Sequence, residues 1–412
     1  VKHHKLKGFK MQVAEAAHEA IHNEQEYVVQ SYARPNFVLT HGTGMTLYDE
    51  TGKGYQDWVA GIAVNALGYG DPGIATAMQQ QLATGIIHLS NLYHSEPHAQ
   101  LAKKLVENSF ADRVFFSNSG TEANEGAIKF ARKVAYAAGA THKTDIVAFS
   151  HAFHGRTMGS LAMTPKDKYQ LPFKPLLPGV TIAEYNDIDS ARAAINDNTA
   201  AVFLEPIQGE GGIHIATTEF LQALRALCDQ HEALLVFDEI QCGMGRTGKL
   251  WAHEHSGVTP DIMTLAKPLA AGLPIGAILV TQKVADAIKP GDHGSTFAGG
   301  LMVTHVAGYA FDKINQPEFL AHVAETGEYL QERLSEINSP LIQEVRGRGL
   351  MVGLEMTMDV NPIVKAGYEN GLLLVNAGTN VIRFVPPLIA TKADVDTLID
   401  RLTHILEQVA NA

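Results

Sequence analysis

Between residues 113 and 280 the chain repeats one pattern: a short apolar run, a polar turn, then a segment with helical spacing. The apolar runs are RVFFSN at 113–118, then 145–149, 200–204, 234–237 and 275–280. Short runs that stay apolar without alternating belong to strands covered on both faces. Helical patterns such as TEFLQALRALCDQH, together with those at 97–108 and 121–138, supply the covers. The stretch therefore predicts a largely parallel α/β sheet, with ligands held beyond the carboxyl ends of its strands.

The flanks read differently. Residues 12–31 are polar and Ala-rich and predict a surface helix, followed by a turn-rich ribbon, NFVLTHGTGMTLYDETGKGYQDWVAG. From about residue 317 a helix, strand, helix order predicts a smaller closing unit. The opening VKHHKLKGFKM is basic but lacks the apolar core of a secretory signal. No apolar run reaches the roughly 18–20 residues that span a bilayer. With 32 basic and 44 acidic residues the formal charge is 32 − 44 = −12, which gives no general attraction to nucleic acid or an anionic membrane. Two cysteines, Cys228 and Cys242, exclude a disulfide framework and suit a reducing compartment.

Unusual polar residues follow the strands. Lys267 is the one charged residue between Asp261 and Lys283, within PDIMTLAKPLAAGLPIGAILV. Either its stem runs along apolar surface to reach water, or its amine is held partly dry, where desolvation favours the neutral, nucleophilic form. Asp238 ends an apolar strand in LLVFDEIQCGMGRTG, so its carboxylate needs a partner: a loop, a metal, or a protonated ring nitrogen. Gln241, three residues on, has the reach to bond a ring oxygen. Ser119, Gly120 and Thr121 lie where a strand turns into a helix, an arrangement that binds phosphate or merely caps the helix. Within SHAFHGRT, Phe153 is a ring to stack on or ordinary core, and Arg156 is a carboxylate clamp or a surface ion pair. Arg383 stands alone in the apolar run NVIRFVPPL and needs an anion; Glu205 and Glu210, in FLEPIQGEGG, are the internal counter-charges on offer.

Other motifs lead nowhere. Gly243, Gly245 and Gly248 spell GxGxxG, but Asp238 precedes them and no suitable helix follows, so they are read as shaping a pocket loop. Leu250 stands where a phosphate-binding loop needs Ser or Thr. His18 and His22 form a literal HExxH in a polar helix, read as a solvated face and not a metal site. The HEH at 253–255 is read as surface beside Trp251.

In their order and spacing, SNSGTEANEGAIKFARK, FHGRT, EPIQGEGG, FDEIQCGMGRTGK, DIMTLAKPLAAGLPIGA, HGSTFAG, VRGRGLMVGLE and IRFVPPL resemble the class-III, fold-type-I aminotransferases, and within them the acetylornithine branch. The resemblance covers about residues 26–408. It implies a mostly parallel seven-stranded sheet in a large domain at 66–315, and a smaller α/β domain built from residues 1–65 and 316–412. It implies pyridoxal 5′-phosphate carried covalently by Lys267, which also moves the proton. Asp238 would meet the ring nitrogen and Gln241 the phenolic oxygen, with Phe153 and Ile240 on the two ring faces. Ser119, Gly120 and Thr121 would hold the phosphate, with Thr296 arriving from the second subunit of a homodimer. Arg383 would take the α-carboxylate of glutamate and Arg156 the distal carboxylate, while Glu210 would neutralise Arg383 for amine-ended substrates. The implied reaction moves the ω-amino group of N-acetylornithine to 2-oxoglutarate. Ornithine, succinylornithine, 4-aminobutyrate and acylated-lysine aminotransferases share these motifs, so the acyl group is not settled by them. The implied compartment is cytoplasm, or a mitochondrial or plastid interior after loss of a transit peptide. The chain departs from the family at Pro268, where glycine is usual, at Ala298–Gly299–Gly300–Leu301, where Gly-Gly-Asn-Pro is common, and at Ile240, where valine is common.

Overall fold

The computed structural model describes residues 16–411. The basic opening VKHHKLKGFKM and the first residues of the expected 12–31 helix lie outside them. The chain enters through a helix at 16–27, on which His18 and His22 are exposed. A three-stranded antiparallel ribbon follows: β1 (Leu39–Thr43), β2 (Thr46–Asp49) and β3 (Gly54–Asp57).

The main sheet has seven strands: β4 (Arg113–Ser117), β5 (Asp145–Phe149), β6 (Val180–Ala183), β7 (Thr199–Leu204), β8 (Leu234–Asp238), β9 (Ile262–Leu265) and β10 (Gly276–Val280). Their order across the sheet is β4-β10-β9-β8-β7-β5-β6, and β10 runs antiparallel to both its neighbours. Every residue of β7, β8, β9 and β10 is buried, the condition that apolar runs without alternation anticipate. Two strands escaped the sequence reading. Strand β6 is a half-exposed edge strand with only Ala183 buried, and β9 lies inside the segment dominated by Lys267.

Helix α1 (Gly120–Ala137) packs across the sheet with Ala123, Ala127, Ile128, Phe130 and Ala131 buried. Small residues on that face let the helix approach β9 and β10 closely. Helix α2 (Thr218–Gln230) covers the other face through Phe220, Leu221, Leu224 and Leu227.

After helices α3 (Leu301–Ile314) and α4 (Pro317–Ser335) comes a second, antiparallel sheet. Its strands are β11 (Ile342–Arg348), β12 (Met351–Met356), β13 (Val375–Ala377) and β14 (Val381–Phe384), in the order β11-β12-β14-β13. The neighbouring pair Leu372–Leu373 runs parallel to β3, so residues from near both chain ends share one sheet.

The two sheets are joined through backbone. Arg246 is fully buried, and its Nη1 donates to the carbonyls of Leu350 (3.0 Å) and Pro386 (2.6 Å). Burial without a carboxylate partner pushes its pKa down to about 9. The glycines read as shaping a pocket loop do something else: Gly245 and Gly248 pass under α3 and α4, and a Cβ at Gly248 would sit 2.7 Å from that of Ala324. The HEH segment is surface only in part: Glu254 is exposed and His255 half-buried. Trp251 and His253 are buried, and fully buried Glu239 accepts from the Ala252 and His253 amides and bonds the His253 ring (2.8 Å). The polar triplet looked solvated throughout because the acid that pairs with buried His253 lies outside it.

Gly327 on α4 rests on the backbone of Gly349, in the β11–β12 turn, where φ is +54°. A Cβ at 327 would overlap the Gly349 carbonyl. Gly327→Ala is therefore expected to lower unfolding free energy by about 1–3 kcal/mol through overpacking, measured by urea denaturation against the parent protein.

Candidate active site

Five strands of the main sheet end at one cavity. After β4 come Gly120 and Thr121, after β5 come Phe153 to Arg156, and after β7 comes Glu205. Strand β8 ends in Asp238 and leads to Ile240 and Gln241, and β9 leads to Ala266 and Lys267. Together these residues line a cavity of about 230 Å³.

Asp238 sits at its floor, 3% exposed. Its Oδ2 accepts from Asn124 Nδ2 and bonds His154 Nδ1, both at 2.8 Å, and its Oδ1 accepts from the Ile240 amide at 3.0 Å. A carboxylate offers about four acceptor positions, so one remains for a donor in the cavity. Thr264, opposite Asp238 in the sheet register, donates to Asn124 Oδ1 (2.8 Å) and so fixes which way the amide points. Burial favours a neutral His154, but the hydrogen bond and charge of Asp238, with Glu205 behind, hold its pKa above the usual imidazole value. The His154 Nε2 has no hydrogen-bond partner among the described residues.

Lys267 opens a tight 3-10 turn, Lys267–Ala270, in which Pro268 occupies an early position that needs no N–H. The side chain borders the cavity and is partly accessible, while the residues before and after it are buried. Burial of the amine, with Arg383 nearby, lowers its pKa to about 8, against the pull of Glu210, Asp238 and Glu205. A useful fraction is thus neutral near physiological pH.

Ser119 is the N-cap of α1, its hydroxyl accepting from the Glu122 amide at 3.3 Å. The cap leaves the cavity edge clear: the Thr121 hydroxyl, 2.8 Å from that of Thr157, lies there beside the helix N-terminus, where the helix favours an anion. Gly120 is required by Ile240, because a Cβ there would lie 2.8 Å from the Ile240 side chain.

Arg383 reaches the mouth from β14. It is 1% exposed, and its Nη1 donates to Glu210 Oε1 (2.7 Å) and to Gln241 Oε1 (3.1 Å), while Nε has no partner among the described residues. Of the two glutamates available, Glu210 is the one that pairs with it. Glu205 instead accepts the amides of Phe153 (2.9 Å) and Gly209 (3.0 Å), and burial raises its pKa. Burial opposes the charge of Glu210, but Arg383, Lys267 and Lys166 outweigh it and hold the carboxyl below its usual pKa. Gln241 therefore has a protein partner that sequence reasoning did not assign. Gly209 makes room for it, since a Cβ there would stand 2.5 Å from the amide.

Arg156 is exposed, with its guanidinium 3.5 Å from the Tyr169 ring centroid. Thr296 is exposed and does not line this chain's cavity; beside it, Ser295 Oγ accepts from Asn118 Nδ2 (2.9 Å). The residues missed were Asn124, His154 and Thr264. The available signal was an asparagine on the apolar, sheet-facing side of α1.

A lysine facing a ring-sized cavity, a buried carboxylate on its floor and an arginine at its mouth are the parts of an amine-handling site. The mitochondrial acetylornithine aminotransferase of Alnus glutinosa is 52% identical over 98% of this chain and 89% of its own length. The acetylornithine aminotransferase of Methanocaldococcus jannaschii is 46% identical, covering 94% of this chain and 97% of its own. Among solved structures, the ornithine aminotransferase of Toxoplasma gondii superposes with a TM-score of 0.91 at 31% identity, over 96% of each chain. The N-acetylornithine aminotransferase of Stenotrophomonas maltophilia does so with a TM-score of 0.81 at 38% identity, over 95% of this chain and 99% of that one. The model of the family "Aminotransferase class-III" matches residues 27–406, and with cavity, lysine and carboxylate all in place the chain belongs to that pyridoxal-phosphate-dependent family.

Proposed function

We propose that the protein moves the ω-amino group of N-acetylornithine to 2-oxoglutarate, giving N-acetylglutamate 5-semialdehyde and glutamate in two alternating half-reactions. The Glu210–Arg383 pair beside Lys267 carries this reading. A donor that reacts through its far amine brings no carboxylate to Arg383, so a paired, neutralised arginine suits it. Glutamate brings its α-carboxylate there and needs the pair opened. One pocket then serves both without a bare buried charge. Two named acetylornithine aminotransferases at 52% and 46% identity support the acetylated donor.

The residues fit pyridoxal phosphate. Asp238 has one acceptor position left for a protonated ring nitrogen, and Phe153 and Ile240 border the space a flat ring would fill. Ser119, Gly120 and Thr121, at the start of α1, would hold the phosphate, and Gln241 would turn its amide N–H groups towards the ring oxygen. When bound, the cofactor supplies an electron sink for the pair left as a substrate C–H bond loses its proton. Asp238 would keep that sink cationic. Lys267, once displaced by the substrate amine, would take up the proton and return it at the cofactor's reactive carbon. Arg156, steadied against Tyr169, would bind the distal carboxylate of either substrate.

The protein is also proposed to work as a homodimer. Ile87, Leu92, Tyr93 and Phe297 are strongly exposed, and Asn91 ties their two loops together through the carbonyls of Ser295 (3.2 Å) and Ala298 (2.9 Å). Contiguous exposed apolar residues of this kind suit a subunit interface, and Thr296 on this patch would complete the phosphate site of a second copy. The smaller unit would be assembled from residues 1–65 and 316–412, about the large unit at 66–315. No helix among the described residues is long and apolar enough to cross a membrane. Two of the relatives are named mitochondrial, and an aqueous compartment, cytoplasmic or organellar, is proposed here.

Four outcomes are expected. Covalent uptake of pyridoxal phosphate by the cofactor-free protein should speed up as pH rises through about 8, where Lys267 loses its proton, and be absent in Lys267→Ala; absorbance near the visible edge reads it. Uptake that accelerates only near pH 10.5 would mean a solvated lysine. Asp238→Asn should cut kcat about 10²- to 10³-fold, the scale of losing one preorganised electrostatic contact, while a screen of amine donors in single half-reactions should place N-acetylornithine above ornithine and 4-aminobutyrate. Phe297→Asp should shift sedimentation towards monomer and weaken cofactor retention together.

A further inference from the structure

The Glu210–Arg383 pair poses a question of charge. When a carboxylate takes Arg383, Glu210 must give up its partner while still mostly buried, and a buried carboxylate without a cation is costly. The structure holds a cation in reach. Lys166, half-buried at the start of the short helix Asp167–Gln170, donates its amine to the backbone carbonyl of Glu210 at 3.2 Å. That carbonyl is bonded to the Cα about which the Glu210 side chain turns. A turn of the Glu210 side chain about that Cα can therefore bring its carboxylate to Lys166.

The mouth around it is strongly basic. The Tyr169 ring gathers three cations: Arg156 at 3.5 Å, Lys168 at 5.3 Å and Lys166 at 5.7 Å from its centroid. Arg156 lies on the ring face and Lys168 is not bonded to Glu210; among the described residues Lys166 is the member of the group that touches that residue. Its amine has no carboxylate partner within ion-pair distance among the described residues, so it is available for one.

We infer that Lys166 is the second station of the Glu210 carboxylate: the residue that receives it when a dicarboxylate substrate opens the Glu210–Arg383 pair. The inference rests on the reading of Arg383 as the α-carboxylate site. It makes Lys166 a positioning residue that tunes how readily the pocket accepts glutamate or 2-oxoglutarate, without itself touching them.

The test is a double-mutant cycle read by calorimetry, titrating the cofactor-loaded protein with glutarate, an unreactive dicarboxylate. Lys166→Met keeps the stem, removes the charge, and should weaken glutarate binding about five-fold or more, within the range of coupling between contacting residues. Lys166→Arg should restore most of it. Glu210→Gln, which cannot hold Arg383 closed, should bind glutarate more tightly than the parent, and adding Lys166→Met to it should change nothing further. Weakening by Lys166→Met that persists in the Glu210→Gln protein would show that Lys166 binds the ligand directly, and overturns the inference. No effect of Lys166→Met in the parent, with Glu210→Gln still tightening binding, overturns it while leaving the Arg383 reading intact. Unchanged affinity in Glu210→Gln removes the Arg383 reading, and the role of Lys166 with it.

Discussion

A carboxylate at the end of an all-apolar strand is the constraint around which the large sheet is organised. Asp238 is 3% exposed, and an uncompensated charge so deeply buried would cost several kcal/mol. It is compensated from three directions: an amide from α1, an imidazole from the loop after β5, and its own next-but-one backbone N–H. Each donor is itself fixed, Asn124 by Thr264 and the His154 backbone by the Thr164 hydroxyl at 3.0 Å. The network thereby locks α1 to β8 and β9, and the same helix presents Ser119, Gly120 and Thr121. The acid at the floor and the anion site at the edge are held at one separation because one helix carries both.

The mouth is assembled by a different logic. Arg383 comes from the antiparallel sheet and Glu210 from the loop after β7, so the ion pair spans two independently built layers. Gln241 touches both the cavity and Arg383, which lets events at the mouth be felt near the floor. Arg246, donating to the carbonyls of Leu350 and Pro386, ties the loop after β8 to the β11–β12 turn and to the segment that follows β14, the strand carrying Arg383. Here the second sheet acts as a holder for one guanidinium.

Much of this was legible in residue order, for a physical reason. Strands covered on both faces leave unalternating apolar runs, and a charge inside such a run is conspicuous, so Lys267, Asp238 and Arg383 stood out. Edge strand β6 did not, because a half-exposed VTIA carries no such contrast. Asn124 was masked by a helix whose other inward residues are apolar, and its role depends on Asp238, 114 positions away. His253 was misread for the same reason, since the acid that satisfies it, Glu239, belongs to another turn. Long-range polar pairing has no local period, and that is where reading along the chain stops.

The close seat of Gly327 on Gly349 has a mechanical meaning. With no side chain between them, helix α4 and the β11–β12 hairpin meet backbone to backbone, leaving no layer of flexible atoms along which one could slide. Any movement that carries Arg383 towards or away from the cavity must then take α4 with it as one lever, and the bending has to be absorbed in connecting segments outside that contact.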